Sequence, residues 1–204
     1  MFHIAATIGF VVLGALALGS ATTEQPVAVA FVHVREIMDF PHIVNAELVT
    51  ITGYMGEALD VQIPDQMDGM PVVRIGPSAF AARGLIGVAI PGSVTRIDDG
   101  AFALNQLTSI EIPDSVTHIG NRAFANNQML AGITIGDGIG FLYEGVFEDS
   151  LRHVSRISIG LNVDLRNSEF SSSVWREFRS AYEANDRRAG VYTLGTAGWT
   201  WQSR

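Results

Sequence analysis

From Leu107 to Phe124 the chain reads LTSIEIPDSVTHIGNRAF. Leu107, Ile110 and Ile112 put apolar side chains at the first, fourth and sixth positions, and Pro113 follows at the seventh. Within Ile110-Glu111-Ile112, strand alternation sends both isoleucines to one side and the glutamate to the other. Proline has no ladder donor, so the strand stops there. A second apolar set, Val116, Ile119, Ala123 and Phe124, begins three residues after the proline. Such a stretch holds too little apolar surface to close a core by itself.

The same blocks recur on both sides. The first returns as 85–91, 130–136 and 154–160, at spacings of 22, 23 and 24 residues, with a fainter forerunner at Val61, Ile63 and Pro64. The second returns as 72–80 and 94–102 and decays in 139–147. Phe80, Phe102, Phe124 and Phe147 therefore repeat at 22, 22 and 23 residues. Two interleaved ladders in register mark a solenoid, in which each coil buries its apolar face against its neighbours. The expected architecture is a β-rich stack of about 4–5 coils. Its inward positions are the four phenylalanines, Ile75, Ile97, Ile119 and Leu142 of one ladder, and Ile90, Ile112, Ile135 and Ile159 of the other. Ala79, Ala101 and Ala123 are small where coils approach closely, and Val146 breaks that rule.

L-x-x-I-x-I-P followed by V-x-x-I-G-x-x-A-F resembles the BspA-like leucine-rich repeat, a short repeat found in many bacterial surface proteins. The entry stretch Val49, Ile51, Gly53, Tyr54 and Gly56, with Ile63-Pro64 and Ile75-Gly76, is similar to that family's usual first repeat. The resemblance covers about residues 49–160. It weakens towards the C-terminus, where proline gives way to Gly136 and Gly160 and Ile119-Gly120 becomes Leu142-Tyr143. It implies a right-handed leucine-rich repeat solenoid, surface exposure, and attachment to a host or extracellular-matrix protein.

A solenoid must cover both ends. Residues 22–48, with the apolar stretch VAVAFVHV at 27–34, are read as an N-terminal cap; β-branched content favours a strand, with a helix as the alternative. Residues 49–165 form the solenoid and 166–204 its C-terminal cap. There Val174, Phe178 and Tyr182 lie four apart on one helix face, with Ser171, Ser172 and Ser173 available to cap it. Asn185, Asp186 and Gly190 end the helix, and 191–201 read as a hairpin turning at Gly195–Gly198. Trp175, Trp199 and Trp201 all fall here, either covering the last coil or forming an exposed aromatic platform.

Residues 1–23 contain no Asp, Glu, Lys or Arg, and IAATIGFVVLGALAL at 4–18 precedes Gly19, Ser20 and Ala21. Residues 1–21 are read as a secretory signal peptide, with an uncleaved anchor as the alternative. The expected location is the cell surface, outer membrane or medium, with the periplasm as the alternative.

The chain has 204 residues, 17% of them charged, a formal net charge of −8 and no cysteine. The acidic balance disfavours nucleic acid. The absence of cysteine removes disulfides, thiolate metal sites and a thiol nucleophile. No H-x-x-x-H pair, P-loop or G-x-S-x-G elbow occurs, and no cofactor or small-molecule substrate is indicated. Gly136, Gly138 and Gly140 mimic a phosphate loop but fall where the repeat places a turn. The histidines at 3, 33, 42, 118 and 153 are scattered. Asp65, Asp68, Asp98 and Asp99 read better as solvated turn acids than as calcium ligands.

Register places Ala89, Glu111, Thr134 and Ser158 in one outward column, flanked by Ile86, Thr108, Ala131 and Ser155. This smooth face suits contact with a protein better than catalysis. On the other ladder Arg74, Arg96, His118 and Phe141 share a column, read as a solvated stripe balanced by Asp98 and Asp99 or as a site for an anionic partner. The functional expectation is a non-enzymatic, exported protein that binds another protein, adhering to host or matrix material, with an envelope-internal scaffold as the alternative.

Overall fold

The computed structural model describes residues 39–45, 48–142, 144–161, 163–165 and 172–203. The signal segment at 1–21 and the apolar stretch at 27–34 lie outside the described residues, as does Ser171.

In chain order the first strands are β1 (His42–Asn45), β2 (Leu48–Ile51), β3 (Asp60–Gln62), β4 (Gln66–Met67), β5 (Met70–Ile75), β6 (Gly87–Ala89) and β7 (Arg96–Ile97). They are followed by β8 (Ser109–Ile112), β9 (His118–Ile119), β10 (Gly132–Ile135) and β11 (Arg156–Ile159). Helix α1 (Ser173–Ala184) and the hairpin β12 (Gly190–Gly195) and β13 (Gly198–Gln202) complete the chain. One wall runs β1-β2-β5-β7-β9, parallel from β2 onward, with β4 beside β5. The other pairs β3 with β6, and β8 with β10 and β11, all parallel, before β12 and β13 extend it antiparallel. The architecture is a β-solenoid of about five turns closed by a helix and a hairpin.

The register is the one the repeats imply. Ile133 pairs with Ile110 and with Ile157, Ile135 with Ile112 and with Ile159, and the forerunner Val61 with Val88. The weakening near the C-terminus affects one wall only. Beyond β9 that ladder thins, among the described residues, to a single bridge, Phe141 to Asp164, while β10 and β11 stay in full register. Gly136, the phosphate-loop mimic, packs against the preceding coil: a Cβ there would meet Asp114 N at 2.6 Å.

The four phenylalanines stack along the core at centroid separations of 5.0, 5.2 and 5.5 Å. The column continues past the repeats. Phe80 meets Phe40 and Tyr54 at one end, and Phe147 meets Trp175 at the other. Trp175, Phe178 and Tyr182 are fully buried on the inner face of α1. Trp199 and Trp201 are partly buried against the same cluster, so the tryptophans cover the last coil. Ser172 occupies the N-cap position of α1, yet its hydroxyl makes no capping bond. The helix ends at Asn185, and Asp186 and Arg187 then adopt positive φ of 54° and 56°.

A second internal ladder is polar. Asn127 is fully buried; its amide donates to Phe102 O and Phe124 O at 3.0 and 2.9 Å and its Oδ1 accepts from Leu107 N at 3.3 Å. Asn105 makes the equivalent bonds one coil earlier, to Phe80 O, Phe102 O and Leu85 N. In the next coil Ser150 takes the position, donating to Phe124 O at 2.7 Å and accepting from Asn127 N at 2.8 Å. These side chains satisfy backbone groups that the curved chain cannot pair along the ladders. Asn127→Leu keeps the volume but strands these partners, and should cost about 2–3 kcal/mol in urea unfolding. An unchanged midpoint would remove the ladder from the account of stability.

The tight curvature also demands left-handed backbone two residues after each phenylalanine. Ala82, Leu104, Asn126 and Asp149 have φ of 54°, 60°, 58° and 57°. Leucine is ill suited to this region, and Leu104 is 59% exposed, so its side chain gains little in return. Leu104→Asn should raise stability by about 1 kcal/mol, read as a higher melting temperature. A lower melting temperature would show that Leu104 makes a contact worth more than the strain.

Candidate functional site

Outward positions of the second wall follow from strand alternation. Gln62 pairs with Ala89, and Glu111 with Thr134 and then Ser158, which pairs with Val191 on the hairpin. The Ile110-Glu111-Ile112 pattern buries both isoleucines and leaves Glu111 exposed. Ala89 is exposed, Thr134 half-buried, and Ser158 only 8% exposed. The wall thus offers its face from β3 to β10 and recedes at β11. Two shallow depressions tile it. One, of ≈ 600 Å³, is lined by Asp60, Gln62, Ile86, Val88, Ala89 and Glu111. The other, of ≈ 550 Å³, runs past Glu111, Asp114, Thr134 and Ser158. Leu59 and Ile86, on adjacent coils, stand about half exposed beside the first. The turn acid Asp114 is engaged, because its carboxylate accepts from Asp137 N at 2.9 Å.

The first wall holds Arg74, Arg96 and His118 in one column, as register requires. On the following coils Phe141 bridges in parallel to Asp164. Asp98 departs from the expected solvated turn acid, being 4% exposed. Its Oδ2 accepts from Arg74 Nε at 2.6 Å and its Oδ1 from Arg96 Nε at 2.7 Å. Burial alone would push the Asp98 carboxyl up, but the bonds from Arg74 and Arg96 outweigh it and hold the carboxyl below the usual range. The sequence names Asp98 as a countercharge to this stripe, as two arginines opposite one another on adjacent strands require, but does not report that it is buried. Asp99 behaves as a turn acid with a backbone role, accepting from Asn121 N at 2.8 Å.

A third depression, of ≈ 780 Å³, lies between the last coil and α1, lined among others by Asn126, Glu148, Asp149, Arg152 and Ser173. From one coil to the next, Arg122 forks onto Glu148 at 2.5 and 2.7 Å, an exposed pair that contributes little to stability. Among the described residues no group of three or more metal-ligating side chains converges, and no helix is long and apolar enough to cross a membrane.

Short in-register coils, a stacked aromatic core and two interrupted parallel walls define a leucine-rich repeat solenoid, a fold generally used for protein–protein interaction. The chain belongs to the BspA type leucine-rich repeat family, whose repeat region matches residues 60–176 in six copies. No curated protein matches the chain. Among solved structures it is similar to a leucine-rich repeat protein of T. pallidum, at 21% identity over 70% of this chain and 93% of that one, with a TM-score of 0.38. It is also similar to a leucine-rich cell surface protein of Faecalibacterium prausnitzii, at 15% identity over 61% and 70% of the two chains and a TM-score of 0.27. A leucine-rich repeat protein of Bacteroides ovatus matches at 16% identity over 65% of this chain and 56% of its own, with a TM-score of 0.28.

Proposed function

We propose that this is an exported binding protein whose second wall docks a protein partner, with adhesion to host or extracellular-matrix protein as its role. The observation that carries the reading is the outward column Ala89, Glu111 and Thr134 between two contiguous depressions. Short side chains on a rigid sheet let a partner's surface approach closely, and preorganisation lowers the ordering cost of binding. The apolar ledge of Leu59 and Ile86 supplies area to bury, and Asp60 and Glu111 supply polar anchors at its rim. No catalytic residue is assigned. The uncharged N-terminal segment at 1–21 supports export.

Two measurements test this. Ala89→Trp and Thr134→Trp add bulk to outward positions and leave the inward columns intact. Each should weaken capture on immobilised matrix proteins about tenfold, with the melting temperature unchanged. Wild-type protein that binds none of them, or variants that bind equally well, would overturn the adhesive reading. Location is tested by protease shaving. All 13 basic side chains are arginine and none is lysine, so amine-reactive labels are poor probes while trypsin has many sites. Loss of the protein from intact cells is expected. Protection until the envelope is opened would favour an internal scaffold instead.

A further inference from the structure

On the first wall, away from the docking face, Arg74 and Arg96 are direct partners on β5 and β7. Adjacent strands lie about 4.8 Å apart, and like charges directly opposite destabilise a sheet. Asp98 resolves the conflict from beneath, taking one Nε–H from each arginine on its two oxygens. Both arginines nevertheless remain 44% and 46% exposed. Beyond these Nε bonds to Asp98, their terminal Nη groups donate no hydrogen bond among the described residues. Thr50 and His118 continue the column on the flanking strands.

We propose that Arg74 and Arg96, held side by side by the buried Asp98, form a receptor for one carboxylate group of an acidic peptide segment. Three features support it. Guanidinium forks suit carboxylates geometrically, and two forks side by side present a broad donor edge. Asp98 orders both long side chains beforehand, so little rotamer freedom is left to lose on binding. Two arginines and one carboxylate leave a single net positive charge, which matches one carboxylate and under-neutralises a dianionic phosphate group. The chain as a whole is at −8, so long-range attraction gives no help and recognition depends on the local pair. Asp98 acts here as a positioning residue.

The test titrates full-length 15N-labelled protein with a hexaglutamate peptide, following the arginine Nε–H resonances. The Arg74 and Arg96 signals should shift saturably with a Kd on the order of 1 mM, and hexaglutamine should leave them unmoved. Asp98→Asn makes the protein more positive but frees both side chains, so affinity should fall about fivefold, the scale of one side chain's ordering cost. A merely electrostatic stripe would gain affinity; equal or tighter binding by that variant overturns the proposal. Should it fail to fold, Arg74→Lys and Arg96→Lys keep the charge but lose the fork, and wild-type affinity in these would overturn it equally. A heparin-derived hexasaccharide that shifts the same resonances at lower concentration than hexaglutamate would reassign the site to sulfate and overturn the carboxylate reading.

Discussion

Phe124→Ala should lower the unfolding free energy by about 3–5 kcal/mol, the range for deleting a buried ring without collapse of the site. The position is fully buried, midway in a stack with ring neighbours at 5.2 and 5.5 Å. Collapse is hindered because the backbone around it is pinned: Phe124 N donates to Val146 O at 2.8 Å and Phe124 O accepts from Asn127 and Ser150. The cavity therefore stays open between two rungs. In a solenoid each rung is stabilised chiefly by its neighbours, so the loss should propagate and broaden the urea transition as well as shift it. Phe124→Leu retains most of the volume and should cost less than half as much. A Phe124→Ala midpoint equal to wild type would contradict the internal column.

Arg74→Gln combined with Arg96→Gln should cost about 3–5 kcal/mol at neutral pH, because it leaves the Asp98 carboxylate buried without a countercharge. Asp98→Asn should cost less, since the two half-exposed arginines it releases can turn to water. The pH dependence separates the cases by sign. In wild type the Asp98 carboxyl is held below its unfolded value. Its stabilising contribution is therefore complete above about pH 4 and fades as pH falls through the folded pKa. In the double arginine variant only burial remains, which raises that pKa, so acidification from pH 7 towards pH 5 should increase the variant's stability. Melting temperatures from pH 3 to 8 read both trends, and parallel profiles for the two proteins would exclude a buried, countercharged Asp98. The same geometry shows why reversing both arginines to glutamate is a poor probe of binding alone: it would set three carboxylates together.

Much of the fold was legible because coils of nearly equal length force equivalent residues into columns. Two turns' worth of spacing suffices to predict which isoleucines face inward, and the structure places Ile110 and Ile112 there on β8 and Glu111 outward. The column of Ala89, Glu111 and Thr134 follows from the same alternation. Less legible was anything that depends on contacts between unlike segments. The asparagine positions repeat three residues after Phe102 and Phe124, yet their role depends on backbone carbonyls left over by the curvature, which no side-chain pattern reports. Asp98 reads as one of several turn acids, and only the approach of β5 and β7 reveals that it is buried between two guanidinium groups.

The sequence by itself determined the solenoid, its register and its inward ladders, because periodicity is a one-dimensional property that stacking converts directly into columns. Only the tertiary structure decided that Ser158 recedes from the docking face and that a buried carboxylate engages both Arg74 and Arg96. Burial and pairing belong to the space between coils, where residues far apart along the chain meet and the dielectric around a charge is set by what packs over it.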